Sequence, residues 1–193
     1  MIGAALPEWR ILTLDEGREA LRLCNSFNRL PTLLELDGSL EVADWLTILG
    51  EEWESCDNIG LYADDLTESE MFGLLMDFPE DLRPHMMDAA ERALYDEFPE
   101  EVVIYRGCYA LNKWGLSWTT DRAIAERFPT LHRYRQDGQP LLVTARVRKA
   151  DILAVKGGRD EAEIICYRPK HISTRHIRVP IPRAAQVGAQ NGN

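Results

Sequence analysis

The spacing of apolar residues changes its period once, at Pro99, and no other feature limits the possible folds as much. Before Pro99, apolar residues recur at helical intervals between capping and breaking residues. After it, short β-branched and aromatic runs are separated by turn residues. A helical first half followed by a β-rich second half predicts an α+β fold. The division proposed is an acidic helical region over residues 1–100 and a β-rich core over 101–193.

In the first half, residues 13–30 read as a helix. Ala20, Leu23, Cys24 and Phe27 fall at helical spacing, Asp15 and Glu16 sit in the first turn, and Pro31 is the expected stop. Residues 39–53 read as a second helix with Ser39 as N-cap. Its expected core contacts include Trp45, Leu46, Leu49 and Trp53. Thr67 followed by Glu70 has the capping-box spacing for a helix over 67–78. Pro84 is expected to open a further helix, which Pro99 closes.

In the second half, residues 102–106 form the first expected strand and 116–119 the second. Residues 121–128 read as a helix capped by Thr119 or Thr120, and 132–139 as a polar loop around Asp137 and Gly138. Strands are expected over 141–148 and 152–155, in the apolar run ending at Cys166, and over 172–179.

Charge divides at the same place. Residues 1–100 hold 24 acidic and 6 basic side chains, and residues 101–193 hold 8 and 16, so a net charge of −10 conceals two halves of opposite sign. Such asymmetry suggests two functional halves, or an acidic half lying against a basic one. No apolar run approaches the roughly 20 residues that span a bilayer. The four scattered cysteines, without a CxxC pair, fit a reducing cytoplasm better than a disulfide framework. Cys166, His171 and His176 lack zinc-ligand spacing, so no metal site is expected.

Three features of the β-rich half occur in order. Tyr105, Arg106 and Gly107 end the first strand. Ser117, Trp118 and Thr119 end the second, ahead of a helix. Glu161 and Glu163 flank Ala162 just before an apolar strand. This order resembles the arginine–serine–glutamate, cholera-toxin-like class of ADP-ribosyltransferases, over roughly residues 101–179. The resemblance implies a split β-sandwich for the second half. It also implies NAD as substrate, cleaved at the nicotinamide–ribose bond through an oxocarbenium-like transition state. ADP-ribose would pass to a macromolecular acceptor, with arginine on a protein as one candidate and nucleic acid left open.

Roles follow residue by residue from that resemblance. Glu163 stabilises the ribosyl cation. Glu161, two residues earlier on the same side of an extended segment, orients the acceptor. Ser117 orients Glu163, and Thr119 supports the backbone of the site. Arg106 offers a planar fork of donors to a phosphate or ribose oxygen. Gly107 lets main-chain groups approach nicotinamide. Tyr105, Trp118 and Phe128 are candidates to stack on it. The resemblance fits a cytoplasmic effector, phage or toxin-system protein. The alternatives are an NAD glycohydrolase, with water as acceptor, and an inactive member of the fold whose basic half binds protein or nucleic acid. The helical region is expected to pack beside the NAD cleft and help select the target.

Overall fold

A computed structural model describes residues 10–157 and 163–178. The helical half begins with α1 (Leu14–Leu21), closed at its start by a capping box between Thr13 and Glu16. The chain then turns through two asparagines and enters α2 (Arg29–Glu35). The single helix expected over 13–30 is therefore two. Asn28 accepts from the Asn25 amide, and Asn25 from the amides of Phe27 and Asn28. These local bonds compete with the helical ladder. Pro31, expected as a stop, lies inside the first turn of α2, where no intrahelical N–H is needed.

α3 (Val42–Glu52) starts later than expected, without a side-chain cap from Ser39, and runs into a 3-10 turn over Trp53–Ser55. The capping box expected from Thr67 does not form. Thr67 belongs to the short α4 (Ala63–Glu68), and Ser69 caps α5 (Glu70–Asp77) through the Phe72 amide. α6 (Pro79–Leu82) leads into a 3-10 turn over Arg83–Met86, which contains Pro84. The next helix, α7 (Ala89–Asp96), opens instead on Asp88, in a capping box with Glu91.

After Pro99 the chain forms β1 (Glu101–Cys108) and β2 (Ser117–Thr119). α8 (Arg122–Arg127) follows, capped by Asp121 rather than by a threonine. The polar loop after it contains a 3-10 turn over His132–Tyr134. Then come β3 (Leu141–Arg148), β4 (Ile152–Lys156), β5 (Glu163–Cys166) and β6 (Lys170–His176). These six strands make one sheet in the order β4-β5-β2-β1-β3-β6, with every neighbouring pair antiparallel. Mixed helix and sheet agrees with the α+β expectation.

The sheet is uneven. β1 and β3 pair along eight residues, from Glu101 opposite Arg148 to Cys108 opposite Leu141. β1 and β2 pair only where Tyr105 meets Thr119. Two three-stranded parts, β4-β5-β2 and β1-β3-β6, thus share one point of contact in the ladder.

The core crosses the change of pattern at Pro99. One buried cluster includes Trp45, Phe72 and Met86 from the helices and Ile104, Val155 and Ile165 from the sheet. Each such side chain contributes about 1.5–3 kcal/mol by leaving water. A buried ion pair also ties the halves together. Lys156 Nζ lies 2.9 Å from Glu91 Oε2 and donates to the Met86 carbonyl at 2.7 Å. No helix among the described residues is long and apolar enough to cross a membrane.

Removing one partner of a buried pair leaves the other charge uncompensated, at a cost of about 3–5 kcal/mol. Glu91→Ala should lower the unfolding free energy by about that amount in urea titrations. The double variant Glu91→Leu, Lys156→Met should recover most of it, because no isolated charge remains.

Candidate functional site

Directly paired residues of an antiparallel sheet share a face. Tyr105, Thr119, Glu163 and Lys156 pair in succession across β1, β2, β5 and β4, so they form one row. Ser117 lies two residues from Thr119 and shares that face. The sequence candidates Tyr105, Ser117, Thr119 and Glu163 are therefore brought together by register alone.

Tyr105, Ser117, Thr119 and Glu163 border a cleft of about 540 Å³ at the place where β1 and β2 part. That volume is within the range of small-molecule sites, roughly 300–1,000 Å³. The sheet supplies its floor. One wall comes from α8 and the segment after it, through Ala125, Phe128 and Tyr134. The opposite wall comes from the helical half, through Trp53, Glu54 and residues 56–61. The helical region thus packs beside the cleft.

Glu163 is the centre of the arrangement. The indole Nε1 of Trp53 donates to its Oε1 at 2.8 Å, and the Ser117 hydroxyl also hydrogen-bonds its side chain. Burial raises the Glu163 carboxyl above its ordinary value, and the nearby Glu54 carboxylate adds to this. The bonds from Trp53 and Ser117 and the positive field of Arg106 work in the other direction. Burial outweighs them.

Arg106 differs from its expected role. Its NH1 donates to the Ser117 carbonyl at 2.6 Å, while Nε and NH2 donate to the Asn112 carbonyl at 3.3 and 3.1 Å. Three of the five N–H donors of a guanidinium are thus spent on the chain itself. Arg106 reaches across the gap between β1 and β2 to the Ser117 carbonyl and also satisfies the Asn112 carbonyl in the connecting segment. A side chain on Gly115 would collide with this guanidinium, since a Cβ there would lie 2.3 Å from NH2. Burial pulls Arg106 below its usual value, and Glu163 favours its charged form. Two buried thiols lie near it. Cys166 is pushed up to about 12 by burial, and Cys108 is raised for the same reason. Burial favours the neutral form of both thiols, and Glu163 is the carboxyl whose charge favours ionised Arg106.

Gly107 serves packing first. A Cβ at this position would fall 1.7 Å from the Ala125 carbonyl oxygen, so its absence lets α8 lie against β1. Thr119 accepts from the Asp121 amide at 3.0 Å and so shapes the entry to α8. Trp118 is a core residue. It is 2 % exposed, and its indole donates to the Gly115 carbonyl at 2.9 Å, although its edge reaches the cleft. Phe128 stacks on Tyr134, with ring centroids 4.1 Å apart, and the two form an aromatic wall. Glu161 lies outside the described residues.

Several contributors were missed from the sequence. Trp53 has the helical spacing of a core residue and is 110 positions from its partner, so no local pattern marks it. Asn112 acts through its backbone. Tyr134 and Arg135 sit in a segment read only as a polar loop. All four cysteines are free thiols, and no group of three or more His, Cys, Asp or Glu among the described residues is placed to hold a metal. No protein-family model matches this chain, and neither a curated protein nor a solved structure matches it.

A carboxyl raised by folding favours the native state while it is protonated. That advantage is lost as pH rises from the unfolded value toward the folded one. Glu163→Gln keeps an acceptor for Trp53 and removes the buried charge. The variant should melt above wild type at pH 7, by about 2–4 °C for each kcal/mol relieved. The gap should close as pH falls through the ordinary carboxyl range near about 4. Calorimetry at several pH values checks this.

Proposed function

We propose that the chain is an NAD-dependent mono-ADP-ribosyltransferase, with Glu163 as the residue that stabilises the ribosyl cation. The observation that carries this reading is a buried carboxylate, held by Trp53 and Ser117, bordering a cleft beside Arg106 where the sheet divides. The near-separation of β4-β5-β2 from β1-β3-β6 supports the finer reading as a split β-sandwich.

In this reading NAD lies in the cleft with its nicotinamide ribose against Glu163. The bond between ribose C1′ and the pyridinium nitrogen breaks, and its electron pair leaves with neutral nicotinamide. Positive charge develops on the ribose and is met by the Glu163 carboxylate. An acceptor nucleophile bonds to C1′ and releases its proton. The low-dielectric setting that raises the Glu163 carboxyl also strengthens its attraction for the cation once it is ionised. Ser117 and Trp53 keep its oxygens aimed. The aromatic wall of Phe128 and Tyr134 suits a planar base.

The diphosphate needs a cation with donors to spare. Arg106 commits most of its fork to the backbone, so its part is to hold the cleft open and supply positive field. The other cation lining the cleft is Arg135, whose side chain is exposed. We assign the diphosphate contact to Arg135. The resemblance gives Glu161 the task of orienting the acceptor, with protein favoured and nucleic acid the second class to test.

Nicotinamide release from labelled NAD, with and without cell lysate, tests the reading and separates transfer from hydrolysis. Glu163→Gln should abolish release while the protein stays folded; full activity in that variant overturns the assignment. Release should rise with pH along a limb above the ordinary carboxyl value of about 4.3, because ionised Glu163 is the active form. Arg135→Ala should raise KM for NAD roughly ten-fold, with a smaller change in kcat.

A further inference from the structure

We infer that Trp53 is a positioning residue whose indole N–H fixes the Glu163 carboxylate, so that the helical half completes the site rather than merely flanking it. The inference rests on reading Glu163 as the reacting carboxylate.

Trp53 follows α3 directly, in the 3-10 turn over Trp53–Ser55. α3 itself is anchored by Trp45, Leu46, Ile48 and Leu49, all fully buried in the shared core. Trp53 is 1 % exposed, so its ring has no freedom to swing. Its N–H ends 2.8 Å from Glu163 Oε1. An indole nitrogen only donates, so it bonds the ionised carboxylate more strongly than the neutral carboxyl. The bond therefore fixes a position and favours the ionised state.

The groups around Glu163 come from every element packed on it. Trp53 and Glu54 come from the turn after α3, Arg106 from β1, and Ser117 from β2. Lys156 pairs with Glu163 across β4, but its ammonium is engaged by Glu91 and the Met86 carbonyl. Glu54 opposes ionisation, whereas Trp53, Ser117 and Arg106 favour it. Of the three favouring groups, Trp53 alone comes from the helical half.

A role in packing alone would be met by any large apolar ring. Trp53→Phe keeps most of the buried surface and removes only the donor. The full-length variant is compared with wild type in three ways. The first is titration of the Glu163 side-chain carboxyl by ¹³C NMR, assigned by its loss in Glu163→Gln. The second is the pH dependence of kcat and KM for nicotinamide release. The third is thermal unfolding. A hydrogen bond to a charged group corresponds to roughly ten-fold or more in an equilibrium, so the carboxyl midpoint should rise by about one pH unit. The ascending limb of kcat should move up with it, leaving kcat roughly ten-fold lower on the limb and KM within about two-fold. An unchanged midpoint and limb in a folded variant overturn the inference.

Wild-type protein gives a second reading that does not require the variant to fold. The Trp53 indole ¹⁵N–¹H resonance should titrate with the Glu163 midpoint and should stop titrating in Glu163→Gln. A resonance indifferent to that change also overturns the inference. If wild type releases no nicotinamide, the transferase reading fails and the catalytic role assigned to Trp53 falls with it. The two NMR titrations then still show whether the indole fixes the carboxylate.

Discussion

The backbone bonds between β1 and β2 stop after a single pair, Tyr105 with Thr119, and the cleft lies where they stop. A longer ladder would close the gap and leave no room for a ligand. An interrupted ladder leaves buried carbonyls without partners, which is costly. Arg106 relieves this by donating across the gap to the Ser117 carbonyl, and it also donates to the Asn112 carbonyl between the strands. A planar guanidinium is suited to that task, because its donors diverge in one plane and reach two acceptors at once. The same side chain brings a buried positive charge, which then requires a negative one. Cys108 and Cys166 stay protonated, so Glu163 is the available counter-charge. Opening the cleft and installing a buried carboxylate are thus linked.

That carboxylate is held against its own preference. Burial favours its neutral form, and the bonds from Trp53 and Ser117 and the field of Arg106 oppose that shift without cancelling it. In the transferase reading, stability and function pull in opposite directions at such a position. Other polar groups that join the halves carry no such tension. Lys156 and Glu91 neutralise each other, and the Lys149 amide donates to the Glu100 carbonyl. Arg18–Glu51, Arg29–Glu52, Arg146–Glu101 and Arg148–Asp151 each pair within one half, while Lys156–Glu91 crosses between them.

The strands were readable because a sheet with buried faces writes its period into the sequence. β3 over Leu141–Arg148 matches its expected bounds. Helix ends were less readable, since neighbouring residues compete to cap them. Ser69 does what Thr67 was expected to do, and Asp121 displaces Thr119 and Thr120. Register explains how residues from distant motifs come to lie side by side. Thr119 and Glu163 sit opposite each other in adjacent strands, so residues far apart in the chain become direct neighbours. Two things stayed hidden for a physical reason. Arg106 binds backbone carbonyls, which every residue carries and no motif distinguishes. Trp53 meets Glu163 through tertiary packing across 110 positions, a distance at which local spacing says nothing.

The helical half is joined to the sheet by more than surface contact. Its core residues belong to the cluster that also buries Ile104, Val155 and Ile165. Separating the halves would expose both faces of that cluster to water, and it would strand Lys156 without Glu91. It would also take away the wall of the cleft that carries Trp53 and Glu54. Those two adjacent residues act on Glu163 with opposite sign, one donating a hydrogen bond and the other repelling charge. A small displacement of the turn after α3 would alter both effects together. The ionisation of Glu163 is therefore tied to the packing of helices that the motif in the second half does not include.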